Sequence, residues 1–295
     1  MDKISTPTKT REILKKYEIV LSKHRGQNFL VDPAAAFRIV ESACSEGDCV
    51  VEIGPGIGSL TQMLAQRARH VAAVEIDRLL VKVLREELKD ADNLTVVEGD
   101  ILDFNIDHLA EVNFPACCRG KEYRVVGNLP YYVTTPILFH IFETAKRASS
   151  ITAMVQKEVA ERISASPGSK VYGALSVASQ YYCEPKIIMK VSRKLFFPQP
   201  EVESMVLELN IRKRPPVDLK DPELFFLIVR AAFNQRRKTV LNALSNGIPE
   251  VSKGTFSRIL TMSEIEPSSR GETLSIEDFA AVANSMYEVL EEGEE

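Results

Sequence analysis

The sequence predicts a doubly wound α/β domain followed by a small all-α domain. Three observations carry that reading. From about residue 35 to 211, short apolar runs alternate with helical patterns. A glycine-rich segment sits directly between the first of these runs and the helix after it. Beyond a charged, proline-rich break, apolar residues recur only at helical spacing.

DCVVEIG at 48–54 reads as the first strand, followed by a turn and a helix from about Ser59. HVAAVEI at 70–76 is the second, with a helix from Asp77. NLTVVE at 93–98, YRVVG at 123–127 and SITAMV at 150–155 are the third to fifth. All five are continuous apolar runs, as parallel strands buried on both faces require. Strand–helix alternation then calls for right-handed crossovers and a doubly wound sheet. KIIMKV at 186–191 and VESMVLEL at 202–209 read as a closing pair, and RKRPPVDLKDP at 212–222 as a linker. Helical periodicity follows at 224–233, 239–244, 256–260 and 276–290. The expected domains are 1–211, with 1–34 as a basic N-terminal segment, and 223–295.

Composition excludes several classes. A chain of 295 residues suits one large domain and one small one. At 45% hydrophobic and 26% charged residues, disorder is not the default. No apolar run approaches the roughly 20 residues that span a bilayer, and residues 1–16 lack the apolar core of a secretory signal. No membrane partner is expected. The five cysteines, Cys44, Cys49, Cys117, Cys118 and Cys183, form no C-x-x-C pair, and His24, His70, His108 and His140 are scattered. Free thiols in a reducing cytoplasm, without a metal, fit this usage. The net charge is −4, yet the windows 1–38 and 205–245 each hold eight Lys/Arg against four Asp/Glu. Phosphate responds to such local fields, although solvated charges give the same pattern.

EIGPGIGS at 52–59 joins a strand to a helix. Glycines there let the backbone turn tightly and approach a ligand, and a helix N-terminus offers free N–H groups. Glu75 closes the second strand 19 residues after Gly56, the spacing at which an acid meets ribose hydroxyls. The third strand ends in EGD at 98–100, and an acid at Asp100 can accept from an adenine amine. A dinucleotide oxidoreductase shares the first two features but does not account for the third.

GNLPYY at 127–132 follows the fourth strand. The exocyclic amine of adenine is a poor nucleophile because its lone pair is delocalised into the ring. An Asn oxygen, here Asn128, and a carbonyl of the Leu129–Pro130 stretch can each accept one of its N–H bonds and favour a tetrahedral nitrogen. Pro130 stiffens the loop and Tyr131 offers a stacking face. In FFPQPEVES at 196–204, Phe196 is a candidate second clamp; core packing of Phe196 or Phe197 explains the pattern equally well.

EIGPGIG, VEID at 74–77 and EGD resemble the successive cofactor motifs of the Rossmann-like methyltransferases. That resemblance implies S-adenosyl-L-methionine, with Gly54 under its methionine part, Glu75 on the ribose and Asp100 at the adenine. Together with NLPY, the segments KHRGQNFL at 23–30, VQKEVAER at 155–162, YGALSV at 172–177, FFPQPEVES, and FNQRRKT at 233–239 resemble the small-subunit ribosomal RNA adenine dimethyltransferases over nearly the whole chain. The resemblance implies Asn28 and Leu30 as further cofactor contacts. It also implies dimethylation of two adjacent adenosines in a hairpin loop near the 3′ end of small-subunit ribosomal RNA, within an assembling subunit.

A flipped adenine needs a pocket, for which Asn128, Tyr131 and Phe196 are the expected walls. Arg236, Arg237 and Lys238, with Arg212, Lys213 and Arg214, are candidate phosphate contacts, or a solvated face. Lys9, Arg11, Lys15, Lys16, Lys23 and Arg25 form either a second stripe or a tail that orders on binding. A monomer is expected, because no self-complementary apolar stripe remains. The alternatives are a large-subunit adenine methyltransferase of the macrolide-resistance type and a non-catalytic RNA-binding assembly factor.

Overall fold

The computed structural model describes residues 3–20, 27–116 and 118–292. Its elements run α1 (Pro7–Lys16), β1 (Phe29–Leu30), α2 (Pro33–Ala43), β2 (Cys49–Ile53), α3 (Thr61–Arg67), β3 (His70–Glu75), α4 (Arg78–Glu87) and β4 (Leu94–Glu98). Next come α5 (Ile106–Asn113), β5 (Tyr123–Asn128), α6 (Thr134–Thr144), β6 (Ala148–Gln156), α7 (Lys157–Ile163), α8 (Ala174–Tyr182), β7 (Cys183–Val191), β8 (Phe196–Phe197) and β9 (Ser204–Ile211). Helices α9 (Pro222–Asn234), α10 (Val240–Gly247), α11 (Lys253–Met262) and α12 (Ile276–Glu292) complete the described chain. No helix among the described residues is long and apolar enough to cross a membrane.

Seven strands form one sheet in the order β4-β3-β2-β5-β6-β9-β7. Strands β4, β3, β2, β5 and β6 are parallel, and β9 runs antiparallel to β6. This is the doubly wound arrangement expected from the five continuous apolar runs. The chain proceeds outward from β2 to β3 and β4, then crosses to the other side of β2 as β5. Strand order therefore reverses between β2 and β5, and a crevice opens outside the carboxyl ends of such strands. Gly54 leaves β2 and Asn128 ends β5 at that point.

The close approach of β5 to β2 rests on Gly127. A Cβ there would lie 2.7 Å from the Ile53 carbonyl oxygen and 2.9 Å from the Leu129 side chain. Only glycine permits this spacing immediately before Asn128.

Residues 7–16 form an ordered helix rather than a loose basic tail. Pro7 stands at its first turn and Thr6 caps it by accepting from the Lys9 N–H. Ile4, Ile13 and Leu14 are buried in a cluster with Phe29, Ile57, Leu80 and Leu84. The Ile4 N–H donates to the Gln62 side chain at 2.9 Å, which ties this segment to α3. Lys9 and Lys16 both pair with Glu87 of α4, so they do not extend a phosphate stripe. Lys23 and Arg25 lie outside the described residues, as does Cys117; the other four cysteines are buried.

The chain divides after residue 211, and residues 161–184, expected in the first domain, group with the second. The chain forms two compact units: residues 1–160 with 185–211, and residues 161–184 with 212–295. Helix α8 belongs to the second because its apolar side packs there. Tyr172, Val177 and Tyr181 are buried in one cluster with Phe225, Val240, Phe256, Ile259 and Phe279. The Arg212 guanidinium fastens the segment by donating to the Gln180 carbonyl and pairing with Glu184 at 2.8 Å.

Gly127→Ala should lower Tm by several degrees, since overpacking of this kind costs about 1–3 kcal/mol. Thermal unfolding followed by circular dichroism checks it; an unchanged Tm would mean that β2 and β5 part without penalty.

Candidate active site

A cleft with about 1170 Å³ of free space, open to solvent, lies at the carboxyl ends of β2, β3, β4 and β5. Asn28, Leu30, Gly54, Glu75, Asp100 and Asn128 all line it, as do Pro130 and Tyr131. Eight residues singled out from sequence thus meet in one place.

The glycine turn is built by conformation. Gly54 and Gly56 have φ of 65° and 62°, in the left-handed region that favours glycine. A Cβ on Gly56 would also press on the Phe29 ring at 3.1 Å. Glu75 organises the turn from the neighbouring strand. Its carboxylate accepts from the Gly56 N–H and the Asp77 N–H, each at 3.0 Å. Burial pushes its pKa above the usual carboxylate range, and those two backbone donors oppose the rise. Asp100 accepts from the Leu102 N–H at 3.0 Å and caps the short turn after β4. Asp77 caps α4 and holds the Gln27 amide at 3.3 Å, so the N-terminal motif is attached to the end of β3.

Sequence reasoning assigned no role to Glu52. It lines the cleft at 1% exposure, and one carboxylate oxygen has no hydrogen-bond partner among the described residues. Burial pushes its carboxyl up to about 8, the Glu75 charge adds to the rise and the Thr61 hydroxyl opposes it. Its signal was the burial-sized strand VVEI: an acid inside a continuous apolar run has to answer some opposite charge. An orphaned buried carboxylate beside two left-handed glycines and a strand-end acid suits S-adenosylmethionine, which is cationic and carries an amine and a ribose.

The target side of the cleft is set by the loop after β5. Asn128 Nδ2 donates to the Asn28 carbonyl at 3.1 Å. A carbonyl can only accept, so the amide turns its NH₂ toward Asn28 and leaves Oδ1 as an acceptor. The Pro130 carbonyl is occupied by the Val133 N–H and the Thr134 hydroxyl, at 3.2 and 2.9 Å. Leu129 donates its N–H to the Met154 carbonyl at 3.1 Å, and among the described residues no hydrogen bond falls on its own carbonyl. The acceptor pair expected from NLPY therefore resolves to Asn128 Oδ1 and the Leu129 carbonyl.

Tyr131 is half-buried, with its hydroxyl 2.6 Å from the Ser204 hydroxyl. Ser204, the last residue of FFPQPEVES, was missed as a site residue; its tie to the tyrosine is invisible without β9 beside β6. Phe196 is corrected. It does not line the cleft and is 2% exposed, packed among Leu30, Val126, Met154 and Val206. The segment β8 pairs antiparallel with β1, Phe29 opposite Phe197 and Leu30 opposite Phe196. That pairing holds the Asn28 motif in place and drives the Phe196 ring into the core.

The expected phosphate contacts in the second unit differ from one another. Arg236 donates to the Lys170 and Tyr172 carbonyls at 2.9 and 3.0 Å and lies 3.5 Å from Glu272, so it braces the loops around it. Arg237, Lys238, Lys213 and Arg214 are exposed.

Residues 21–282 match the family model described as ribosomal RNA adenine dimethylase. The ribosomal RNA small subunit methyltransferase A of Alkaliphilus oremlandii is 48% identical over 98% of this chain and 100% of its own length. That of Moorella thermoacetica is 48% identical over 97% and 99%. Among solved structures, a dimethyladenosine transferase from Plasmodium falciparum superposes with a TM-score of 0.71 at 24% identity, covering 89% of this chain and 97% of that one. The 23S rRNA methyltransferase ErmE gives 0.63 at 27% identity, covering 88% and 99%.

Two outcomes test the site. Phe196→Ala should unfold or strongly destabilise the protein, by about 3–5 kcal/mol as for other buried aromatics, whereas Phe196→Leu should keep most stability and activity; a folded Phe196→Leu with lost turnover would return the ring to a clamp. Glu52 is raised from 4.5 to about 8 in the folded state, so the folded protein binds more protons than the unfolded one across that window. Its contribution to stability is therefore lost as pH rises through it. Tm measured from pH 5 to 8 should fall more steeply for the wild type than for Glu52→Gln; parallel curves would contradict the raised carboxyl.

Proposed function

The chain belongs to the ribosomal RNA adenine dimethylase family, and on that premise we propose that it transfers methyl groups from S-adenosyl-L-methionine to adenine amines of small-subunit ribosomal RNA. The targets are two adjacent adenosines in a 3′-terminal hairpin loop, each converted to dimethyladenosine. The reading is supported by the 48% identity, over essentially full length, to enzymes named for the small subunit. The observation that carries the chemistry is the free acceptor pair of Asn128 Oδ1 and the Leu129 carbonyl beside the glycine turn.

Asn28, Leu30, Gly54, Glu75, Asp100 and Asn128 would hold the cofactor, with Glu75 at the ribose and Glu52 available to a cationic group. When bound, the cofactor supplies an electrophilic methyl group on a sulfonium. The residues of this chain do the rest. Asn128 Oδ1 and the Leu129 carbonyl each accept an N–H bond of the target amine and hold its lone pair toward the methyl group. Tyr131, fixed at its hydroxyl by Ser204, stacks on the extruded base. Pro130 and Thr134 keep the loop from moving. Such a displacement gains chiefly from proximity and alignment, so no Cys or His base is required. The dissociating N–H proton is left to solvent after transfer.

Arg237 and Lys238, with Lys213 and Arg214, are proposed RNA phosphate contacts of the second unit, and Arg236 acts through the loops it braces. Binding should then weaken steeply with salt. The setting is a monomer acting on an assembling subunit in the cytoplasm. The likeness to ErmE favours a second reading, methylation of large-subunit RNA, but at 27% identity it is outweighed by the small-subunit relatives. A non-catalytic assembly factor is disfavoured by an acceptor pair and cleft that are intact.

Asn128→Ala should reduce transfer to undermethylated small subunits by about 10²-fold or more while S-adenosylmethionine binding, read by calorimetry, stays within a few-fold. Equal loss of both would assign Asn128 to the cofactor alone. Label transferred from the cofactor to large subunits rather than small ones would select the second reading.

A further inference from the structure

We propose that Tyr132 is a second stacking face, which takes the base next to the adenosine held at Asn128. This rests on the function proposed above and adds a contact residue to it. Phe196 cannot sandwich the target base, because it is part of the core. The aromatic rings that do line the cleft around the acceptor pair are Phe29, Tyr131 and Tyr132. Phe29 is buried against Gly56 and the α1 cluster, on the cofactor side. Tyr131 is anchored by Ser204 and half-buried. Tyr132 is 62% exposed, although it is an aromatic residue in a structured turn.

The turn fixes the backbone that carries that ring. The Pro130 carbonyl accepts from the Val133 N–H and the Thr134 hydroxyl, which closes a four-residue turn with Tyr131 and Tyr132 at its centre and leads into α6. The ring is open to solvent beside the acceptor pair, where the face of a base can cover it. Two consecutive tyrosines in one turn match two consecutive unstacked bases of a single strand, one extruded toward Asn128 and its neighbour outside. Stacking is indifferent to methylation of that neighbour, because added methyl groups leave the π-face available. The same ring therefore serves whichever adenosine of the adjacent pair is being modified.

The test uses small subunits reconstituted with RNA carrying 2-aminopurine beside the target adenosine. Fluorescence quenching on binding is read for the wild type, Tyr132→Phe and Tyr132→Leu, together with kcat and KM for methyl transfer. The expected result is quenching by the wild type and by Tyr132→Phe and its loss in Tyr132→Leu. KM for Tyr132→Leu should rise roughly tenfold, with kcat and cofactor affinity within about twofold. Unchanged quenching and KM in Tyr132→Leu, or a loss confined to kcat, would overturn the proposal. Quenching that depends on Tyr132 without any methyl transfer by the wild type would refute the proposed function and leave the stacking contact standing. A wild type that transfers methyl groups but does not quench would do the reverse.

Discussion

One hydrogen bond settles which atom of Asn128 is left open to the cleft. Its Nδ2 is committed to the Asn28 carbonyl, 100 residues away in the chain. With the amide reversed, an N–H would point into the cleft, and an amine arriving as proposed would meet a donor rather than an acceptor. The geometry of the first unit serves this contact. β1 pairs with β8 to hold Asn28, Gly127 brings β5 against β2 to hold Asn128, and the glycine turn opens beside both.

The polar groups of the cleft stand on apolar supports. Leu30 and Phe196 lie opposite one another in a two-residue pairing and enter the same buried cluster as Val126 of β5 and Met154 of β6. Phe29, one residue earlier, turns to the other cluster, with Ile4 and Ile13 of α1. Alternation along a strand, with period two, thus distributes neighbouring residues between two cores and leaves Asn28 at the rim. Helix α1 belongs to this support: its lysines neutralise Glu87 and its apolar side backs the glycine turn.

Much of this was legible in the chain. Parallel strands inside a sheet must be continuously apolar, so β2, β3, β5 and β6, and the acids and glycines at strand ends, could be read directly; the half-buried edge strand β4 is apolar enough to be read with them. Glu75 meeting Gly56 is a matter of spacing, and spacing is what a sequence displays. Packing partners are not displayed. FFPQPEVES suits a clamp and a core alike, and only the β1 pairing decides that Phe196 goes inward. Residues 161–184 follow a strand–helix rhythm, but Tyr172, Val177 and Tyr181 have their apolar partners in α9 and beyond, after residue 211. In α1, Ile13 and Leu14 are outnumbered by charge, yet both are buried in a cluster whose other members lie elsewhere in the chain.

The loop after β5 is fastened at three points: Leu129 to Met154, Pro130 to Val133 and Thr134, and Tyr131 to Ser204. Its conformational entropy is surrendered when the chain folds, not when a base arrives. A flexible loop would have to order itself at each encounter, and part of every base contact would be consumed in doing so. Under the proposed function the acceptors already stand in position, so the affinity gained from a base would go toward drawing it out of the RNA.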